Sequence, residues 1–218
     1  MGAIARSAAN KITTSGVFTS DAIANSSVTG ITALANASDG ITLISSQTAN
    51  NSASLSFTTG LDSTYKAYKF VFVNINPVSF NFDFTFNFST DAGSNYNVTK
   101  TTTWFQAYHN EADTDTALAY NTGLDLAQST SFQNLHFSVG NDNDQSASGT
   151  LTLFNPSSTT YVKHFISRVQ RSGPLSDPAS QEVYVAGYGN TTSAVNAVRF
   201  QMSSGNIDDG TILMYGIV

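Results

Sequence analysis

Phe80-Asn-Phe82-Asp-Phe84-Thr-Phe86-Asn-Phe88 places a phenylalanine at every even position and a small polar residue at every odd one. A strand turns successive side chains to opposite faces, so this period of two gathers five rings on one face. A helix would scatter them, and its interior disfavours Asp, Thr and Asn. Burial of one Phe is worth roughly 1.5–3 kcal/mol, and a slip of one residue would turn all the rings into water. The stretch therefore predicts a strand from Phe80 to Phe88 whose rings face a common apolar interior or subunit interface. That interior needs a second apolar layer.

Strand signals surround it. Asp39-Gly40 reads as a turn into Ile41-Thr-Leu-Ile-Ser45, and Ala53 to Phe57 alternates. Tyr68 to Ile75 sets Tyr68, Phe70 and Phe72 on one face until Pro77 blocks its continuation. Val98 to Tyr108 is Thr-rich and contains Trp104. Residues 109–130 read as a long polar surface loop, the usual place for binding residues. Further strands are expected at Phe132–Val139, Gly149–Phe154, Tyr161–Val169, Val183–Tyr188, Val195–Met202 and Thr211–Ile217. About ten short strands separated by turn residues predict an all-β, antiparallel two-sheet β-sandwich of the jelly-roll kind over residues 41–218. A barrel is the alternative.

Residues 1–40 differ. Val17, Phe18, Ile23, Val28, Ile31 and Leu34 are scattered among Ser, Thr, Gly and Asn without a period of two or 3.6. Such a segment cannot bury itself. It reads as an extended N-terminal docking arm whose six apolar anchors lie on neighbouring chains, with an unanchored leader as the alternative.

Composition narrows the function. The 218 residues hold nine Lys and Arg against fifteen Asp and Glu, a net charge of −6, and no Cys. Sparse, unclustered basic residues argue against nucleic acid and anionic membranes as partners, and the lack of Cys removes thiol chemistry. No apolar run approaches the ~18 residues of a membrane-inserting helix. Two glutamates, Glu111 and Glu182, are a poor supply for paired-carboxylate catalysis. Asn141-Asp-Asn-Asp144 and the acidic run from Glu111 to Asp115 do not fit a calcium loop. His109, His136 and His164 lack ligand spacing, and no phosphate-binding glycine loop or nucleophile elbow occurs. The reading is non-enzymatic, with no cofactor. The aromatic candidates for stacking on a sugar are Trp104 and Tyr108, beside the polar loop.

Ser148-Gly-Thr-Leu-Thr-Leu-Phe154-Asn-Pro-Ser-Ser-Thr-Thr-Tyr161-Val-Lys-His-Phe165 and Asn190-Thr-Thr-Ser-Ala-Val-Asn-Ala-Val-Arg-Phe200 carry a family likeness. So does Met202-Ser-Ser-Gly-Asn-Ile-Asp-Asp-Gly-Thr-Ile-Leu-Met-Tyr-Gly-Ile217. Together they resemble β-rich virion structural proteins of tailed bacteriophages, marine ones in particular, over residues 41–218. The resemblance implies a virion part of the capsid-decoration, head-fibre or tail-fibre type, assembled in the host cytoplasm. It implies other virion proteins and further copies of the chain as partners, and transfers no binding residues. The alternative function is a module that binds host-surface glycan.

Overall fold

The computed structural model describes residues 40–173 and 178–218. Val17, Phe18, Ile23, Val28, Ile31 and Leu34, the expected docking anchors, lie outside the described residues. Twelve strands are present among the described residues: β1 (Ile41–Thr48), β2 (Leu55–Phe57), β3 (Ala67–Pro77), β4 (Phe82–Ser89), β5 (Lys100–Asn110), β6 (Thr116–Tyr120), β7 (Gln133–Val139), β8 (Ala147–Phe154), β9 (Lys163–Ser172), β10 (Ala179–Gly189), β11 (Ala197–Met202) and β12 (Ile207–Ile217).

They form an eight-stranded sheet, β1-β12-β3-β8-β9-β10-β5-β6, and a four-stranded sheet, β2-β11-β4-β7. All pairings are antiparallel. The pairs β1·β12, β2·β11, β3·β8 and β4·β7 are nested one inside the next and alternate between the sheets, which is the jelly-roll arrangement. Two hairpins are added to it. β5-β6 enters between β4 and β7, β9-β10 between β8 and β11, and both widen the larger sheet beyond β8.

The phenylalanine stretch supplies β4, with one correction. Phe84, Phe86 and Phe88 are fully buried, Phe82 is half-buried, and Phe80 is 47 % exposed. Asn81 has φ +70°, so the backbone leaves the extended conformation there and the alternation does not carry back to Phe80. Phe80 belongs to the turn that carries the chain from β3 in one sheet to β4 in the other.

Phe200 on β11 sits at the centre of the interior. Its ring lies 5.1–6.3 Å from those of Phe57, Phe70, Phe72, Phe84 and Phe86, drawn from both sheets. Phe165 of β9 extends the cluster, 5.0 Å from Phe86 and 5.6 Å from Phe88. Each such pair contributes about 0.5–1.5 kcal/mol beyond the area it buries.

One end of the interior is closed by two buried lysines. Lys100 donates from Nζ to Asn87 Oδ1 (2.6 Å) and the Val98 carbonyl (2.9 Å), which ties β5 of the larger sheet to β4 of the smaller. Lys163, two strands away in the same register row, donates to the carbonyls of Tyr161 and Thr191. Burial lowers the Lys100 ammonium to about 7.

Phe200→Ala is expected to cost about 3–5 kcal/mol in urea denaturation, because five surrounding rings lose their common partner. Phe80→Ala should stay within about 0.5 kcal/mol. Equal losses at the two positions would contradict this placement of the core.

Candidate functional site

The inner faces of both sheets are filled, so the outer faces are where the molecule meets its surroundings. They differ sharply. Thr85, Asn87 and Ser89 point outward from the smaller sheet, yet all three are buried. Asn87 Nδ2 donates to the carbonyls of Tyr96 and Thr130, and the Arg199 guanidinium lies 4.0 Å from the Tyr96 ring centroid. That outer face is polar; loop residues roof its Asn87 end, and Asp83, Thr85, Gln201 and Ser203 line an open recess at the other.

The outer face of the larger sheet is open. Strict alternation on β9 buries Phe165, Ser167 and Val169 and exposes His164, Ile166 and Arg168. Register carries the exposed phase across the sheet. One row runs Leu43, Tyr215, Lys69, Thr152, Ile166, Ala186 and Thr103. The next runs Leu213, Val71, Thr150, Arg168, Tyr184, Phe105 and Tyr120. Ile41, Ile217, Ala67 and Phe154 flank the first row, and Glu182, Ala107 and Leu118 flank the second. Ile166 is 57 % exposed, Leu118 76 % and Leu43 52 %.

A shallow depression of about 530 Å³ lies on this face, lined by Thr101, Thr103, Phe154, Ile166, Ala186 and Tyr188 among others. Beside it the rings of Phe105 and Tyr184 are stacked, with centroids 4.8 Å apart and planes 4° from parallel. Arg168 lies 5.3 Å from the Tyr184 centroid and donates from Nε to Glu182, while Tyr184 Oη donates to the other oxygen of Glu182 (2.8 Å). The hydrogen bond from Arg168 holds the Glu182 carboxyl below its usual range, and the same contact raises the guanidinium. Glu182 is the one carboxylate on these rows, and its charge is met on the face itself.

Trp104, expected as a sugar-stacking residue, is a core residue. It is fully buried, its Nε1 donates to Asn134 Oδ1 (3.3 Å), and its ring lies 5.7 Å from Phe137. On β5 the inward phase holds Lys100, Thr102 and Trp104, so Phe105 is the ring that reaches the open face. Tyr108 is half-buried and donates to Asp115 Oδ2 (2.8 Å). The two residues do not form a shared platform.

Nor is 109–130 a single loop. β6 occupies Thr116–Tyr120, and Asn110 shapes the turn before it, its Oδ1 accepting from the amides of Thr114 and Asp115. The remainder runs along the edge of β5 beyond β6. The Thr102 amide donates to Leu126 O, Lys100 and Ser129 exchange backbone hydrogen bonds, and Leu124 packs on the core.

The other sequence candidates stay apart. Asp144, Asp208 and Asp209 line a polar cleft with Asn74 and Asn76, but no metal-holding group of three such residues occurs among the described residues. His109 is exposed beside Asp113 (3.0 Å), and His164 lies on the open face 6.3 Å from the Tyr188 ring. His136 is fully buried, its ring nitrogens 2.8 Å from Phe137 O and 3.4 Å from Gln181 O. No family model, curated protein or solved structure matches the chain.

His136 gives the fold an acid-sensitive point. Burial first, and the nearby Arg171 charge as well, lower its imidazole from 6.5 to about 4. An unfolded chain therefore takes up a proton between pH 6.5 and 4 that the folded one refuses, and stability falls as pH drops through that window. Unfolding free energies from urea titrations are expected to decline there with a slope approaching ~1.4 kcal/mol per pH unit, and to decline less in His136→Gln. An identical profile in the variant would contradict the assignment.

Proposed function

We propose that the chain is a non-enzymatic structural protein of a tailed-bacteriophage virion, displayed on the particle surface as a decoration, head-fibre or tail-fibre component. Residues 1–40 serve as its tether to a capsid or tail subunit. The observation that carries this reading is the broad, open, charge-poor outer face of the larger sheet, set on a jelly roll whose other outer face is polar and partly roofed. A surface of that size and chemistry suits assembly with protein better than capture of a small molecule in a pocket. Jelly rolls serve both viral capsids and lectins, so the fold alone does not choose. The resemblance of the C-terminal strands to phage virion proteins points the same way as the face.

The geometry removes the aromatic pair that the glycan-binding alternative named. Trp104 is enclosed, Tyr108 is half-buried with its hydroxyl on Asp115, and Phe105 and Tyr184 stack on one face of each other's ring, while Tyr120 and Tyr161 remain exposed.

Gradient-purified particles of the encoding phage should contain the chain in fixed stoichiometry by quantitative mass spectrometry, and immunogold should place it on the particle surface. Deleting residues 1–36 should abolish incorporation with little change in melting temperature. Recovery of the full-length chain solely in the particle-free lysate would overturn the proposal. Normal incorporation of the truncated chain would remove the tether.

A further inference from the structure

We propose that the outer face of the eight-stranded sheet is an interface between copies of this chain. Size is the first argument. Eight strands spaced about 4.8 Å apart, with some 30 Å of paired length, make a face on the order of 1,000 Å². A stable interface needs about 800 Å² per partner, which this face, apolar and polar residues together, is large enough to supply.

Charge selects the occupant. The chain carries fifteen acidic side chains and a net charge of −6, so two copies repel over most of their surfaces. On the two central rows and their flanks Glu182 is the sole carboxylate, and Arg168 and Tyr184 already satisfy it, while Asp125 meets the Tyr120 hydroxyl at one end. The acidic residues are elsewhere, for example Asp208 and Asp209 beside the polar cleft at one end of β12. With a single further cation on the rows, Lys69, the face offers neither a basic stripe for nucleic acid or an acidic protein nor an acidic one for a basic partner. A near-neutral apolar sheet fits another near-neutral apolar sheet. Two such faces pack about 10 Å apart, with Ile166 and Tyr184 inserting between side chains of the facing sheet in a self-complementary contact.

This inference does not rest on the virion reading. A chain that self-associates but never enters particles would sink that reading and leave this one standing, and an incorporated chain that stays monomeric in solution would do the reverse.

Sedimentation velocity on the full-length protein across the micromolar range is the test, with Ile166→Asp and Leu118→Asp on the face and Val78→Asp on the β3–β4 connection. Val78 is 42 % exposed, so its variant controls for surface charge away from the face. Wild type and Val78→Asp should assemble with increasing concentration. Each face variant should weaken assembly roughly tenfold or more, because an unpaired carboxylate is then buried at the contact. At dilutions where wild type is monomeric, melting temperatures should match wild type, since both substituted side chains are exposed in one copy. Two face variants are used so that a folding defect in one leaves the other informative. A wild-type chain that stays monomeric overturns the proposal, whether residues 1–39 or some other molecule covers the face. So does assembly of both face variants at wild-type affinity.

Discussion

Packing of the two sheets through one phenylalanine cluster is the constraint on which the rest of the molecule depends. Phe200 meets Phe57, Phe84 and Phe86 within its own sheet and Phe70 and Phe72 across the interior. A strand has two faces, so each ring committed inward fixes which neighbours point outward. Phe165 inside puts Ile166 outside, and Trp104 inside puts Phe105 outside. The open surface of the larger sheet follows from how the core is filled.

The added hairpins make that surface wide. A jelly roll of nested pairs needs four strands per sheet, and β9-β10 with β5-β6 double one of them. The smaller sheet cannot cover the whole inner side of so broad a partner. Residues 121–132 run along the edge of β5 with Leu124 packed on the core, and the buried amines of Lys100 and Lys163 fasten one end with hydrogen bonds to carbonyl groups. No comparable cover lies over the outer side among the described residues. The asymmetry between a polar, partly roofed small sheet and a bare large one is the feature that most needs a functional account.

Much of the fold was legible because strand alternation is a local signal. The β4 phenylalanines, the break at Pro77 and most later strands could be read from period and turn residues. Phe80 was misread because the left-handed conformation of Asn81 interrupts the alternation without any break in the sequence pattern. β6 was missed because Thr116-Ala-Leu-Ala-Tyr120 offers weak apolar contrast and is flanked by acidic turn residues. The site was harder to read. Thr103-Trp-Phe105 puts two aromatic residues in succession, so one must face out, and nothing local says which. Register rows that join Tyr184, Phe105 and Tyr120 come from pairings between distant segments, which leave no local mark in the sequence.

Hydroxyl-radical footprinting of the full-length protein, at a dilute and a concentrated condition, tests most directly whether the bare face is covered by assembly. Tyr120, at 52 % exposure on the face, and Tyr161, at 68 % in the β8–β9 connection, are matched reporters of the same chemistry. Oxidation of Tyr120, together with Tyr184 and Tyr188, should fall as concentration rises while Tyr161 stays reactive. Unchanged oxidation of all four tyrosines across that range would contradict the account.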